Sequence, residues 1–194
     1  MIRKSLVGAV LAALALSGCA GTAPQDDTKA APSQRAGTAH NDADVTFARQ
    51  MVPHHTQALD MAALVPDRTA NPAVTDLAAR IKRAQGPEIE QLDGWLARWG
   101  AAPSGGHAMP GMPSHASMGG MMSDAEMTKL RAGKGAEFDR MWLTMMIGHH
   151  EGAVEMANAE LRGGADADAK ALAGRIAGAQ RAEIAEMRKL LGGR

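Results

Sequence analysis

The sequence predicts an all-α protein, a ferritin-like four-helix bundle made of two repeated helical hairpins joined by a long Met/His-rich crossover. The apolar content is mostly Ala, Leu and Met, which favours helices over strands. The chain also matches itself without a gap when it is shifted by 95 residues, which indicates a duplicated unit. A segment rich in Gly, Pro and Ser, residues 100–122, lies between the two copies. A left-handed bundle with a different crossover fits the same pattern.

Cap signals place the helices of the first hairpin. Asn41 or Asp42 is a suitable N-cap for a helix that runs to about residue 65. The stretch "PDRTANP" then forms a turn. Asn71 as an N-cap and Pro72 at the first helical position begin a second helix, which ends near residue 99.

The second hairpin begins with a capping box. Ser123 and Glu126 open a short helix, which the "AGKG" stretch at residues 132–135 interrupts. A long helix over about 136–161 and a last helix over about 167–191 follow. The predicted division of the chain is a signal peptide at 1–18, a disordered tether at 19–40, the bundle domain at 41–194, and within it a first hairpin at 41–99, the linker at 100–122 and a second hairpin at 123–194.

The first 19 residues have the pattern of an exported lipoprotein. Arg3 and Lys4 form a positive start, an uncharged apolar run follows, and "LSGC" resembles a bacterial lipobox that ends at Cys19. The apolar run is too short to span a bilayer. Cys19 is the only cysteine, so no intrachain disulfide can form. We therefore expect an exported, lipid-anchored protein that faces the periplasm or the extracellular side.

Charge and composition exclude a nucleic-acid partner. The chain has 21 Lys or Arg and 21 Asp or Glu residues, and loss of Arg3 and Lys4 with the signal peptide leaves it slightly acidic. Two Phe, three Trp and no Tyr are too few for a platform on which bases stack. The sequence indicates no particular protein partner.

The repeated positions of the first helix of each hairpin form one stripe. At about 100° per residue these positions fall within roughly 120° of arc, so they face the bundle interior. Asp60 and Glu155 lie on the opposite side, where solvent is expected. The matched pairs are Met51 with Met146, His54 with His149, His55 with His150, Ala58 with Ala153, Met61 with Met156, and Ala62 with Ala157.

This stripe carries the candidate metal ligands. Met and imidazole alternate along it, and the whole pattern occurs twice. Core packing by Met and buried, hydrogen-bonded His is the competing interpretation. The candidate ligands are His54, His55, His149, His150, Met51, Met61, Met146, Met156 and, one turn before His149, Met145.

A repeated carboxylate lies on the second helix of each hairpin. Glu88 and its counterpart Glu183 sit near the middle of an apolar stripe, beside Gln85 and Gln180. A carboxylate in that position needs a partner. The His pair of the same hairpin is the candidate, either as a contact that fixes the imidazole tautomer or as a structural ion pair.

The linker predicts a second set of metal ligands. A flexible segment has no packing use for Met, so its enrichment there is unusual. Thioether and imidazole ligands together suit copper, Cu(I) above all and Cu(II) as well. No His has an acidic residue three positions before it, which argues against a di-iron site. The linker ligands are His107, Met109, Met112, His115, Met118, Met121 and Met122.

The chain resembles the domain-of-unknown-function family 305 (DUF305). The stretches "FARQMVPHHTQALDMA" and "EFDRMWLTMMIGHHEGAVEMA", each followed by R-I-x-x-A-Q-x-x-E-I, carry the resemblance over about residues 41–192. The family includes CopM-type periplasmic copper-binding proteins. The resemblance implies a ferritin-like bundle that binds copper through Met and His, with the matched Met and His of the two stripes as ligands.

Three functions are compatible with these patterns. The first is a non-catalytic, lipid-anchored copper-binding protein that sequesters or delivers the metal in copper homeostasis or tolerance. The second is a structural or interaction bundle without metal, in which His and Glu form internal hydrogen bonds. The third is a copper-dependent redox enzyme, which requires a fixed and partly open site. Metal ions and, through the lipid, the membrane are the expected partners.

Overall fold

Five α-helices make up the part of the chain that the computed structural model describes, residues 39–101 and 119–192. The predicted signal peptide, most of the predicted tether and most of the linker fall outside these residues. No helix in the described ranges is long and apolar enough to cross a membrane. The helices are α1 (Asp42–Ala63), α2 (Pro72–Arg98), α3 (Asp124–Ala132), α4 (Gly135–Gly163) and α5 (Ala167–Gly192), with a short 3₁₀ turn at Val65–Asp67.

Side-chain caps begin three of these helices at the residues that the sequence predicts. Asn41 accepts hydrogen bonds from two backbone N–H groups of α1, and Asp44 completes a capping box. Asn71 caps α2 by accepting one hydrogen bond, from the Ala73 backbone N–H. Ser123 and Glu126 form the predicted capping box of α3. The predicted helix bounds are confirmed to within two residues.

The helices pair as two hairpins, as the sequence repeat predicts. α1 packs along α2, and α4 packs along α5. The hairpins meet through α1 and α4, which are therefore the central pair of the bundle. The all-helical class and the order of hairpin, linker and hairpin are confirmed.

Two apolar clusters fill the interior of the bundle. One surrounds Trp142, whose indole N–H donates to the Met61 carbonyl at 3.0 Å, and the other surrounds Trp95. Burial of such aromatic side chains is a large part of what holds a small bundle together. The Trp142 cluster includes Met61, Leu77, Ile81, Leu130, Phe138, Trp142, Met146 and Met187, and the Trp95 cluster includes Phe47, Met51, Leu92, Trp95, Leu96, Ala153, Leu172 and Ile176.

The two clusters occur in opposite order along the central helices. On α1, Met51 of the Trp95 cluster precedes Met61 of the Trp142 cluster. On α4, Met146 of the Trp142 cluster precedes Ala153 of the Trp95 cluster. α1 and α4 therefore run in opposite directions past each other, and the residues between these positions meet where the clusters adjoin.

A buried carboxylate joins the start of α1 to the turn between α4 and α5. Asp44 is fully buried and accepts hydrogen bonds from the backbone N–H groups of Ala165 (3.0 and 3.1 Å) and Asp166 (2.9 Å). Asp139, its counterpart after the 95-residue shift, accepts a 3.0 Å hydrogen bond from the Asn71 side chain at the start of α2. Asp44 of α1 thus binds the turn at the start of α5, and Asp139 of α4 binds the N-cap of α2.

Glu160 is a second buried acid in this region. Its side chain interacts with Asp44 but makes no hydrogen bond of good geometry with the described residues. Burial, and then the neighbouring Asp44, raise the pKa of the Glu160 carboxyl to about 8. Burial opposes ionisation of Asp44 as well, but the N–H groups that bind it lower its pKa overall. Glu160 is therefore protonated at neutral pH and Asp44 is ionised.

Because folding holds a proton on Glu160 that the unfolded chain releases, stability should fall as the pH rises from about 4.5 through 8. We expect a loss of about 1 kcal/mol per pH unit in the middle of that interval. Glu160→Gln should remove this part of the slope, as measured by urea unfolding at a series of pH values. Glu155→Gln, an exposed position on α4, should keep the wild-type slope. Equal slopes for wild type and Glu160→Gln would contradict the assignment.

Candidate metal centre

Two imidazole rings meet where α1 crosses α4. The ring centroids of His54 and His149 are 3.7 Å apart, and the ring planes are inclined by 36°. The two residues are 0% and 1% exposed. They occupy equivalent positions in the two hairpins, so the repeat predicted that both would face inward, and the crossing brings them together.

None of the ring nitrogens of this pair makes a hydrogen bond of good geometry with the described residues, although the Gly119 backbone lies near His54 and the His54 backbone lies near His149. Burial and then the nearby His55 lower the pKa of His54 to about 3, although the adjacent Gly119 backbone acts in the opposite direction. Burial and then His54 lower the pKa of His149 well below its ordinary value. Both rings are therefore neutral at neutral pH, and each has a lone pair that can bind a metal ion.

The second histidine of each pair contacts the predicted glutamate. His55 Nε2 lies 2.8 Å from Glu88 Oε2, and His150 Nε2 lies 2.8 Å from Glu183 Oε2. The carboxylates are 20% and 14% exposed, whereas both imidazoles are buried. In a neutral ring, Nε2–H donates to the carboxylate, and Nδ1 then carries the lone pair. Neither Nδ1 has a hydrogen-bond partner in the described ranges.

The predicted glutamines are buried near these contacts along the same helices. Gln85 and Gln180 are each 3% exposed. Their Oε1 atoms also have no hydrogen-bond partner in the part of the chain that the structure describes.

The candidate thioethers lie on both sides of the His54–His149 pair. Met61 and Met146 are buried in the Trp142 cluster. Met51 is buried in the Trp95 cluster, and the partly exposed Met156 packs against the same cluster. Each side therefore has one Met from α1 and one from α4. Met145 is partly buried and packs against the Trp142 cluster.

The predicted linker site falls mostly outside the described residues. Of its seven members, only Met121 and Met122 are described, and both are partly buried. Met122 packs against the Trp142 cluster. The members outside the described ranges are His107, Met109, Met112, His115 and Met118, and Cys19 also lies outside them.

Sequence reasoning missed a contact between the end of the linker and α1. The Gln57 side chain donates to the Met122 carbonyl at 2.8 Å and accepts from the Met122 N–H at 2.7 Å. Gly152, the counterpart of Gln57 in the repeat, lies against Gly119. The two copies carry different residues at these equivalent positions, and this difference is the sequence feature that points to the contact with the linker.

The donor set limits the metal that this site could hold. Across residues 39–101 and 119–192, no group of three or more His, Cys, Asp or Glu side chains is arranged to bind a metal ion. A site at the crossing would therefore combine imidazole with thioether, which suits soft ions. Because the ring faces of His54 and His149 are opposed and their lone pairs lie in the ring planes, joint binding requires the rings to turn.

A duplicated helical hairpin with buried, facing His pairs and flanking Met defines a class of all-α proteins. The chain belongs to one family of this class: the model of the domain of unknown function DUF305 matches residues 44–191. The sequence resemblance to that family is confirmed. No curated protein sequence matches the chain.

Several solved structures share this fold. A DUF305 protein from Streptomyces coelicolor, named as a candidate secreted protein, is 35% identical, with a TM-score of 0.70 over 78% of this chain and 91% of its own. A DUF305 fragment from Deinococcus radiodurans is 36% identical, with a TM-score of 0.70 over 79% and 98%. CopM in its Cu(I)-bound form is 28% identical, with a TM-score of 0.64 over 77% and 96%. CopM is also known in Cu(II)-bound and Ag-bound forms.

The buried His pair should make the metal-free protein sensitive to acid. The unfolded chain binds protons on these rings below about pH 6.5, whereas folded His54 stays neutral to about pH 3. Stability is thus intact above pH 6.5 and should fall as the pH decreases below it, by about 1 kcal/mol per pH unit for His54 through that interval and by a further amount for His149, whose pKa is also lowered. Urea unfolding of His54→Ala/His149→Ala should show a smaller slope, whereas His40→Ala, at an exposed position, should keep it. An unchanged slope in the double variant would exclude neutral burial.

Proposed function

We propose that this protein is an extracytoplasmic, lipid-anchored copper-binding protein that sequesters or delivers Cu(I), and also Cu(II), in copper homeostasis or tolerance. The observation that carries the proposal is the buried His54–His149 pair, whose ring nitrogens make no hydrogen bond of good geometry with the described residues. A buried polar group without a partner is costly, and a metal ion is a partner that fits two neutral imidazoles. Met side chains on both sides add soft ligands.

The similarity to CopM supports copper as the metal. CopM has been solved with Cu(I), Cu(II) and Ag, and Ag is a soft monovalent ion like Cu(I). His54, His149, Met51, Met61 and Met146 are the buried ligands that we propose for this chain. His55 and His150 would act as further ligands through Nδ1, with Glu88 and Glu183 holding their rings.

Export and a lipid anchor are parts of the same proposal. The "LSGC" stretch that ends at Cys19 supports them, and the similar protein from Streptomyces coelicolor is named as a candidate secreted protein. We further propose that the protein is not an enzyme, because binding and release of copper need only the ligands described. Met and His of the linker would then add weaker binding positions outside the bundle.

A structural bundle without metal is the second candidate, and the His–Glu contacts favour it. Each 2.8 Å contact is a complete internal hydrogen bond that needs no metal. The two functions differ in their response to copper. A ligand that binds only the folded state raises the melting temperature, whereas a purely structural bundle keeps the same melting temperature when copper is added.

Removal of both facing rings should weaken Cu(I) binding in the bundle. We expect His54→Ala/His149→Ala to lower the affinity by roughly 100-fold or more, since two ligands are lost rather than one supporting contact. Competition with a chromogenic Cu(I) chelator under anaerobic, reducing conditions measures the affinity. The matched control is His40→Ala, which removes an imidazole outside the bundle interior. Equal affinities for wild type and the double variant would refute the bundle site.

The two glutamates should tune the site without being ligands. Glu88→Gln/Glu183→Gln keeps the side-chain size but removes the carboxylates that hold His55 and His150. We expect a roughly 10- to 100-fold loss of Cu(I) affinity, the usual effect of losing a group that orients a ligand. The control is Glu90→Gln, an exposed position on α2. Unchanged affinity together with lower thermal stability would assign the glutamates a purely structural role.

A further inference from the structure

The last residues of the linker cross the bundle beside the His54–His149 pair. We call residues Gly119–Met122 the strap. Its C-terminal end is bound to α1 through the two Gln57–Met122 hydrogen bonds, at 2.8 and 2.7 Å. A side-chain amide that donates to and accepts from one backbone residue acts like a rung of a β-ladder. The strap is therefore attached to α1 by polar contacts and not only by packing.

The other end of the strap lies directly on α4. A Cβ atom at Gly152 would be 1.8 Å from the Gly119 carbonyl oxygen, so only glycine permits this approach. A Cβ atom at Gly120 would be 2.4 Å from the Gly148 carbonyl oxygen, and Gly120 has a φ of +79°. Two backbones in such close contact leave no room for a ligand to pass between them.

The strap contacts both residues of the facing pair. The Gly119 backbone lies beside the His54 ring. A Cβ at Gly120 would be 3.0 Å from the His149 Cα. Both rings are almost completely buried with the strap in place.

The strap contacts α1 at Gln57 and α4 at Gly152, which are equivalent positions of the repeat occupied by different residues. Gln57 and Gly152 are 95 residues apart, and each lies three residues after the facing His of its helix. One copy supplies an amide that binds the strap, and the other supplies the space in which the strap lies. The neighbouring stripe positions carry the same residues in both copies, so the difference is confined to the two residues that contact the strap.

We propose that the strap is the gate through which Cu(I) reaches and leaves the His54–His149 pair, with Gln57 and Gly152 as the residues that hold it closed. This proposal rests on the proposed function of the pair. Opening requires loss of the Gln57 hydrogen bonds and separation of Gly119 and Gly120 from α4, and the helices themselves remain packed through the two apolar clusters. Local opening of this kind has a lower free energy than global unfolding.

Two variants should open the gate, and a third variant serves as their control. Gly152→Ala places a methyl group against the Gly119 carbonyl, and Gln57→Leu removes both hydrogen bonds. Gly148→Ala is the control, because a Cβ there meets nothing within 4 Å although it lies on the same helix and next to His149. Both alanine variants increase helix propensity, so a loss of helix cannot explain a difference between them.

The first measurement uses the metal-free protein. Diethyl pyrocarbonate modifies accessible neutral imidazoles, and peptide mass spectrometry reports the rate for each His. We expect Gln57→Leu to raise the rates at His54 and His149 roughly tenfold, the effect of removing one or two net hydrogen bonds from the closed state. Gly152→Ala should raise them by a similar factor, because its methyl group excludes the close approach of the Gly119 carbonyl. Gly148→Ala should match wild type, and His40 should react equally in all four proteins.

The second measurement follows transfer of Cu(I) from the loaded protein to a chromogenic chelator in excess. The transfer rate should rise roughly tenfold in the same two variants and remain unchanged in Gly148→Ala. Unchanged His reactivity in both gate variants would overturn the gate. If the reactivity rises while Cu(I) transfer stays the same, the pair is not the copper site, and the proposed function fails while the strap remains a cover.

Discussion

Two neutral imidazoles buried face to face at the crossing of α1 and α4 are the constraint on which this structure depends. Their four ring nitrogens make no hydrogen bond of good geometry with the described residues, and each such buried group costs about 1–3 kcal/mol. The Trp142 and Trp95 clusters on either side offset that cost by burying apolar surface from both hairpins. The polar centre is thus held in place by the packing around it.

Much of the fold could be predicted from the sequence because its signals are local. Asn41, Asn71 and Ser123 cap helices through contacts within a few residues. The repeat then placed His54 and His149 on equivalent inward stripes. The choice of His55 rather than His54 as the partner of Glu88 depends on side-chain direction between helices, which spacing alone does not determine.

The features that the sequence did not predict depend on tertiary contacts. The buried interaction of Asp44 with Glu160 brings together side chains from opposite ends of the chain. The strap was missed for a different reason. The repeat is recognised from residues that match between the two copies, whereas Gln57 and Gly152, which contact the strap, differ between them. In a duplicated protein, mismatched positions beside a repeated stripe identify where one copy contacts a segment that is not repeated.

The contact between His54 of one hairpin and His149 of the other has a mechanical consequence. One ring comes from each hairpin, so neither hairpin contains the pair by itself. A metal ion bound by both rings would join residues 95 apart in the chain and, because only the folded chain brings these rings together, it would stabilise the packing of one hairpin on the other. Metal binding would then hold the two hairpins together, and metal release would remove that link without changing either hairpin.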